Sequence, residues 1–277
     1  MRRGVAAAPG TCGELVQGWL GEQPFLITFP VDRYARAVVE LEAGPGELAG
    51  PPKARRAVAR VLELLQEGPC RGRIRIRSGL PPGKGMASST ADVVAAAQAA
   101  ARALGRELPP GLLARIALEV EPSDGLMLPG IALFDHRGGR VMRTLGEAPP
   151  WQVLLLDRGG AVDTERFNAS PELPRREARR EGAVREALAL VERGLASGRG
   201  DLVGRGATIS AQAQEEVLGG GELGPVLEWA REAGAWGVST AHSGTVLGVI
   251  FPPGRRVKLA LPLACLGWAR CVGGGVR

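Results

Sequence analysis

The segment Gly79-Leu-Pro-Pro-Gly-Lys-Gly-Met-Ala-Ser-Ser-Thr90 joins a predicted strand to a predicted alanine-rich helix. Its glycines allow the backbone to approach a ligand closely and to turn N–H groups toward an anion. The helix that follows leaves its first N–H groups unpaired and carries the positive end of its dipole. The segment therefore predicts a phosphate-binding loop, with hydroxyl groups from Ser88, Ser89 and Thr90 beside the phosphates.

Three other interpretations of this segment are weaker. Ser89 followed by Asp92 has the pattern of a capping box, which needs no ligand but leaves the glycines and Lys84 unexplained. The segment is not a Walker loop, because Gly85 stands where that motif has serine or threonine. It also lacks the regular βαβ unit and the acidic ribose ligand of a dinucleotide fingerprint.

Outward from this loop, apolar periodicity predicts a mixture of strands and helices. We expect strands at residues 25–30, 35–41, 131–135, 151–157, 236–240 and 245–251, helices at 54–66, 88–104 and 110–120, and a helical region at 175–217. A regular βαβ rhythm is missing, so the predicted class is α+β. The Ala148-Pro-Pro150 break predicts a boundary between an N-terminal domain, 1–150, and a C-terminal domain, 151–277.

Bulk composition is that of an ordinary globular protein. The 277 residues are 45% hydrophobic and 23% charged, with four scattered cysteines and no apolar run of membrane-spanning length. These features, and the lack of an apolar segment behind Arg2 and Arg3, predict a cytoplasmic protein without a membrane partner. The net charge of +6 comes mostly from arginine, a compositional bias, so we expect no nucleic acid as partner.

A row of arginines alternates with Ile74 and Ile76, the period of a half-buried strand. Arg73, Arg75 and Arg77 would then share one face of a sheet. This face is either an anion-binding surface or a solvated sheet face, and the pattern favours the solvated face.

The phosphate loop resembles motif 2 of the GHMP kinases, Pro-x-x-x-Gly-Leu-Gly-Ser-Ser-Ala, with Met86 in place of leucine and Ala87 in place of glycine. Two further segments resemble the other family motifs in the same order. Pro9-Gly-Thr-Cys-Gly-Glu-Leu-Val-Gln-Gly18 is similar to motif 1, and Ala241-His-Ser-Gly-Thr-Val-Leu-Gly248 is similar to a degenerate motif 3.

Within this family the motif sequences are most similar to those of the L-threonine kinases of cobalamin biosynthesis. The shared phrases include Gly85-Met-Ala-Ser-Ser-Thr-Ala-Asp92, Leu118-Glu-Val-Glu-Pro-Ser-Asp124 and Leu133-Phe-Asp-His136. The resemblance implies two domains, an N-terminal one like ribosomal protein S5 domain 2 and a ferredoxin-like C-terminal one. It also implies ATP and Mg²⁺ as cofactors and L-threonine as the substrate, giving O-phospho-L-threonine.

The resemblance also implies a role for each group at the reaction centre. Ser89 and Glu121 would hold the metal, and Asp124 would be the general base. Glu119 is an alternative to Glu121, and Asp124 is alternatively an orienting group rather than a base.

The remaining site residues follow from the three motifs. The predicted nucleotide-binding residues are Pro81, Pro82, Gly83, Lys84, Gly85, Met86, Ala87, Ser88, Ser89 and Thr90. The predicted substrate-binding residues are Cys12, Gly13, Glu14, Gln17, His242, Ser243 and Gly244. The Glu14 carboxylate suits the ammonium of an amino acid, although a structural salt bridge would explain it equally well.

Two other functions stay open from the sequence. A GHMP kinase for another alcohol, such as homoserine, would share the same three motifs. A non-catalytic sensor with this fold is less consistent with the chain, because Ser89, Glu121 and Asp124 are all retained. Oligomeric state is not predicted by any of these patterns.

Overall fold

The computed structural model describes residues 1–160, 171–218, 223–255, 257–258 and 260–277. The strands are β1 Arg2–Leu20, β2 Gln23–Ala43, β3 Leu48–Ala49, β4 Cys70–Ser78, β5 Ile131–Phe134, β6 Met142–Gly146, β7 Gln152–Asp157, β8 Gly237–Thr240, β9 Val246–Phe251 and β10 Ala264–Arg270. The helices are α1 Pro52–Leu64, α2 Ser88–Ala103, α3 Pro110–Val120, α4 Leu173–Ser197, α5 Gly200–Leu218 and α6 Leu223–Glu232. This mixture confirms the predicted α+β class.

A long hairpin of β1 and β2 is the centre of the sheet. The strands pair antiparallel from Arg2 opposite Leu41 to Leu20 opposite Gln23. The expected strands at 25–30 and 35–41 are therefore parts of one continuous strand. The sheet order is β10-β7-β9-β8-β1-β2-β4-β3, with β5 pairing β2 and β6 pairing β5.

Helix α2 packs closely against β1 and β2 because the face that it buries consists mostly of small alanine side chains. Twelve of its residues are buried, eight of them alanines. A Cβ at Gly4 on β1 would lie 1.9 Å from the carbonyl oxygen of Ala99 and 2.5 Å from the amide nitrogen of Ala103. Backbone therefore packs directly on backbone here, and this fixes the position of the helix that begins at Ser88.

One sheet joins the two halves of the chain. Strand β1 pairs with β8 through Glu14 opposite Thr240. The last residues return to the first half, where the Arg277 amide donates to the Ala7 carbonyl at 2.8 Å and the Gly275 amide to the Leu126 carbonyl at 2.8 Å. The domain boundary predicted near residue 150 stays a prediction. Wherever that boundary lies, residues 271–277 pack against the N-terminal half of the chain.

In the second half, the predicted helical region at 175–217 is confirmed. Two helices, α4 and α5, occupy this range, separated where Gly198 takes a left-handed φ of 67°. The sequence patterns missed α6, a helix of ten residues although Leu223, Val226 and Ala230 have helical spacing, and β10, which has no β-branched residue. The two strands around motif 3 lie within a residue of the prediction.

The arginine row lies on the outer face of β4. Arg73, Arg75 and Arg77 are exposed, whereas Ile74 is buried and Ile76 partly buried. This agrees with a solvated sheet face. Among the described residues, no helix is both long and apolar enough to cross a membrane.

We predict that Gly4→Ala destabilises the protein by at least about 2 kcal/mol, because the added Cβ would overlap the α2 backbone. The matched control is Gly111→Ala in α3, where a Cβ meets nothing within 4 Å. That control should be neutral or stabilising by up to about 1 kcal/mol through helix propensity. Urea unfolding of both variants checks this, and equal stability of the two would contradict the close packing of α2 on β1.

Candidate active site

The phosphate loop is a sharply bent connection between β4 and α2. Gly83, Gly85 and Ala87 have φ values of 72°, 81° and 55°, in the left-handed region. Glycine adopts this region freely, whereas Ala87 does so at a cost of roughly 1–2 kcal/mol. Ala87 therefore keeps the left-handed backbone conformation expected of the glycine that it replaces in the motif, and it does so under strain.

The start of α2 carries no side-chain cap. Its N-cap residue is Ala87, and no capping hydrogen bond from a side chain is present in this fully described segment. The capping-box interpretation of Ser89 and Asp92 was therefore wrong. By helix geometry the first amides of α2 have no intrahelical acceptor, and they adjoin a cavity of about 980 Å³.

Residues from both halves of the chain line this cavity. They are Glu14, Pro51, Pro52, Lys53, Ala54, Pro82, Gly83, Gly85, Met86, Ala87, Ser88, Ser89, Thr90, Asp92, Glu121, Pro122, Asp124, His242 and Ser243. The cavity thus brings together most of the predicted nucleotide-binding loop, all three predicted catalytic and metal residues, and three of the predicted substrate-binding residues.

Ser89 and Glu121 meet at the start of α2. The Ser89 hydroxyl donates to Glu121 Oε1, and Lys53 Nζ lies 2.5 Å from Glu121 Oε2 and 3.3 Å from Ser89 Oγ. Glu121 reaches this position because α3 ends at Val120 and Glu121 is extended, with φ −168° and ψ 164°. Glu119 is turned away and pairs with Arg60 Nε at 2.6 Å.

Asp124 lies next to Thr90 on the same wall. Thr90 Oγ1 is 3.4 Å from Asp124 Oδ2 and also 3.4 Å from the Asp124 amide nitrogen. The next amide, Gly125, donates to Thr28 Oγ1 at 3.0 Å. Burial raises the pKa of Asp124, with hydrogen bonds from Glu14 and Thr90 acting against that rise.

Glu14 is a buried carboxyl at the seam of the sheet. It is 2% exposed, and its Oε2 is a buried atom without a hydrogen-bond partner among the described residues. Burial raises the pKa of Glu14 well above its usual value, and the charge of Asp124 and a hydrogen bond to it raise it further. The two carboxyls therefore favour a state in which at least one of them is protonated.

His242 is held by Gln17 rather than exposed to solvent. Its Nδ1 lies 2.9 Å from Gln17 Oε1, and Gln17 Nε2 donates to the Thr240 carbonyl at 3.1 Å. Its ring packs edge-on against His136, with centroids 5.0 Å apart. Burial lowers the pKa of His242 well below its usual value and that of His136 to about 3, so both rings are neutral.

Some predicted site residues do not line the cavity. They are Cys12, Gly13, Gln17, Gly244, Pro81 and Lys84. Cys12 is fully buried, and burial raises the pKa of its thiol to about 12, so it packs rather than reacts. Gly13 and Gly244 are close-contact positions, since a Cβ on them would lie 2.4 Å from Thr240 and from Gly85 respectively.

Lys84 is paired inside the protein. Its ammonium lies 2.8 Å from Asp157 Oδ2 and donates to the Gly160 carbonyl at 2.7 Å. Burial acts to raise the pKa of Asp157, but Lys84 and Thr245 outweigh it and hold that pKa below its usual value. A contact between Lys84 and a phosphate stays a prediction, and the structure gives this residue a second role in joining the loop to β7.

Sequence reasoning missed Lys53 and Asp92 as cavity residues. Lys53 is one of only three lysines in a chain that otherwise uses arginine, a signal that the composition contained. Asp92 has a buried Oδ1 without a hydrogen-bond partner among the described residues, and burial raises its pKa to about 6. Its apparent place in a capping box concealed it.

Two family descriptions match the chain: "GHMP kinases N terminal domain" over residues 54–132 and "GHMP kinases C terminal" over residues 187–265. An L-threonine kinase from Salmonella typhimurium is 32% identical over 250 residues, covering 89% of this chain and 82% of that protein. A homoserine kinase from a Synechococcus strain is 27% identical over 220 residues, covering 75% and 68%. The crystal structure of homoserine kinase from Cytophaga hutchinsonii superposes with a TM-score of 0.72 at 18% identity, covering 100% of this chain and 97% of that one.

We predict that Glu14→Gln stabilises the protein increasingly as pH rises. A carboxyl whose pKa is raised by folding stabilises the fold below its unfolded pKa, and this contribution is lost as pH rises through the folded pKa. The neutral glutamine removes this loss, so the gain over wild type should grow by at least about 1 kcal/mol between pH 5 and pH 8.

Urea unfolding at several pH values measures this difference. Glu22→Gln, at the exposed turn between β1 and β2, controls for the removal of one carboxylate. A Glu14→Gln difference that is constant with pH, or that shrinks as pH rises, would contradict the buried, protonated carboxyl.

Proposed function

Because the chain belongs to the GHMP kinase family and is a kinase with an alcohol acceptor, we propose that it phosphorylates the side-chain hydroxyl of L-threonine. The phosphoryl donor is ATP, and the product is O-phospho-L-threonine. The proposal includes a cytoplasmic enzyme whose product enters cobalamin biosynthesis, the role of the L-threonine kinases that its motifs resemble. Identity of 32% across most of the chain to an L-threonine kinase supports this choice of acceptor.

The strongest support for phosphoryl transfer is that three features lie at a single cavity. The uncapped start of α2, the Ser89–Glu121 pair and the Asp124 carboxyl all adjoin one cavity. Phosphoryl transfer requires positioned phosphates, a metal and an oriented acceptor more than it requires covalent chemistry. Amides at a helix start with two nearby oxygen ligands and a carboxyl meet those requirements within a single site.

Ser89 and Glu121 fit a magnesium ion. The pair already holds a cation, the Lys53 ammonium, in contact with both side chains. Mg²⁺ prefers oxygen ligands and keeps several waters, so one hydroxyl and one carboxylate suffice alongside phosphate oxygens. When bound there, the metal would neutralise negative charge on the phosphates. Glu119 does not share this position, because its carboxylate lies on Arg60.

Asp124 is suited to receive or orient the acceptor proton. Its carboxyl is close to the Thr90 hydroxyl, and burial raises its pKa toward the range in which a base is effective. Thr90 keeps the side chain directed along the cavity wall. Thr90, which contacts Asp124, follows Ser89 directly in α2. An acceptor beside Asp124 would therefore lie in the same part of the cavity as a phosphate beside Ser89.

Glu14 is suited to bind the ammonium of an amino acid. Its buried Oε2 needs a donor that the described residues do not supply. An ammonium group would donate a charge-assisted hydrogen bond and make ionisation of the carboxyl favourable despite burial. His242 and Ser243 line the cavity with Glu14, on the loop that follows β8, and would contact the rest of a small acceptor.

We expect L-threonine to be the preferred acceptor in an ADP-release assay that also includes L-homoserine, L-serine, mevalonate and N-acetyl-L-threonine. The kcat/KM for L-threonine should exceed that for L-homoserine by at least about tenfold. N-acetyl-L-threonine should be turned over at least about 100-fold less efficiently, because it lacks the ammonium for Glu14.

Each other outcome of this assay selects another function. Preference for L-homoserine would replace the proposal with homoserine kinase activity, for which the Synechococcus relative is the supporting observation. Nucleotide binding without turnover of any alcohol would favour a ligand sensor. Equal turnover of L-threonine and its N-acetyl form would remove the assignment of Glu14.

We predict that Asp124→Asn lowers kcat for L-threonine by at least about 100-fold while the affinity for ATP changes less than about threefold. Asparagine keeps the shape of the side chain but does not take a proton. Asp201→Asn, on the exposed start of α5, is the matched control and should leave kcat unchanged. Steady-state kinetics and nucleotide titration measure both quantities, and near-normal turnover of Asp124→Asn would remove the base.

A further inference from the structure

Lys53 takes part in a three-way contact at the mouth of the cavity. Its Nζ lies 2.5 Å from Glu121 Oε2 and 3.3 Å from Ser89 Oγ, and Ser89 donates to the other Glu121 oxygen. The contact therefore comprises one cation, one carboxylate and one hydroxyl. The lysine comes from α1, 68 residues away from Glu121 along the chain.

The stability of α1 does not explain this lysine. Lys53 lies in the first turn, next to the proline that begins the helix, and that turn contains no acidic residue. A cation at the positive end of a helix dipole is unfavourable. Burial of Ala54, Ala57 and Val58 anchors the helix independently of Lys53. Arg55 and Arg56 share this part of the helix, so it is the contacts of Lys53 with Glu121 and Ser89 that indicate its function.

The Lys53 ammonium is also able to leave its contacts with Glu121 and Ser89. Its side chain is 48% exposed, against 19% for Glu121. Ion pairs with this much exposure are weak, and lysine is a compact charge on a flexible stem. A ligand with a stronger charge would therefore displace the ammonium without disturbing the fold.

We propose that Lys53 occupies the cation position between Ser89 and Glu121 in the nucleotide-free protein and so opposes binding of a divalent metal that arrives alone. This inference rests on the proposed function, since it takes Ser89 and Glu121 as the metal ligands. Two cations on one carboxylate repel each other, so metal and ammonium compete there. A triphosphate brings enough negative charge for both, which leaves Lys53 available to phosphate oxygens once nucleotide binds.

The test is a titration of the nucleotide-free protein with Mn²⁺, followed by electron paramagnetic resonance of the unbound ion. Lys53→Met should bind Mn²⁺ about fivefold more tightly than wild type, the factor expected for loss of an exposed ion pair. Lys53→Arg keeps the charge and should bind Mn²⁺ as weakly as wild type. Arg55→Met, an exposed residue of the same helix, is the matched control and should match wild type.

A second titration uses ATP in the presence of a chelator. Lys53→Met should bind metal-free ATP at least about fivefold more weakly than wild type, because a phosphate contact is lost. Arg55→Met should bind it normally. A structural role of Lys53 alone would not produce opposite changes in the affinities for metal and nucleotide.

Glu121→Gln separates failure of this inference from failure of the proposed function. If Glu121→Gln weakens Mn²⁺ binding and Lys53→Met leaves it unchanged, the metal site stands and the role of Lys53 is overturned. If Glu121→Gln has no effect on Mn²⁺ binding, the metal assignment itself falls. Circular dichroism melting of each variant verifies folding, and Lys53→Gln replaces Lys53→Met if the latter does not fold.

Discussion

The contact of the phosphate loop with the loop after β8 is the constraint on which the site depends. A Cβ on Gly85 would lie 2.3 Å from Ala241 Cβ and 3.0 Å from Gly244 Cα, so only glycine permits this approach. The Lys84 carbonyl accepts hydrogen bonds from the amides of Thr245 and Val246 at 3.0 and 2.9 Å. These contacts fix the bend that directs the start of α2 toward the cavity, and they join residues from the two halves of the chain.

The site is also rich in carboxyl groups: among the described residues that line the cavity, four are acidic, and Lys53 is the lysine among them. Glu14, Asp92 and Asp124 each have a pKa raised by burial, and Glu121 lies beside them with Lys53 as its partner. An approaching cation stabilises the anionic forms of such carboxyl groups and lowers their pKa values again. An amino-acid ammonium at Glu14 and a metal at Glu121 would each supply one, which makes the charge of the site consistent with the proposed reaction.

The sequence predicted the elements whose signals are local. The boundaries of helices α2 and α3 follow from the sequence to within one residue. The glycines among residues 79–87 predict a bent loop, and the structure contains it. It did not predict β1, because Gly4, Gly10 and the alanines between them lack strand propensity and become a strand only through pairing with β2 and packing under α2. The contact of Lys53 with Glu121, and the choice between Glu119 and Glu121, depend on where α1 begins and where α3 ends in the folded protein. Spacing along the chain does not encode these positions.

The most direct measurement is a crystal structure with a non-hydrolysable ATP analogue and Mg²⁺. We expect β- and γ-phosphate oxygens on the amides of residues 85–90, with the metal bound by Ser89 Oγ and Glu121 and the Lys53 ammonium moved away from Glu121. An analogue bound elsewhere, with these amides covered by the protein's own side chains and Lys53 still on Glu121, would contradict a phosphate site at the start of α2.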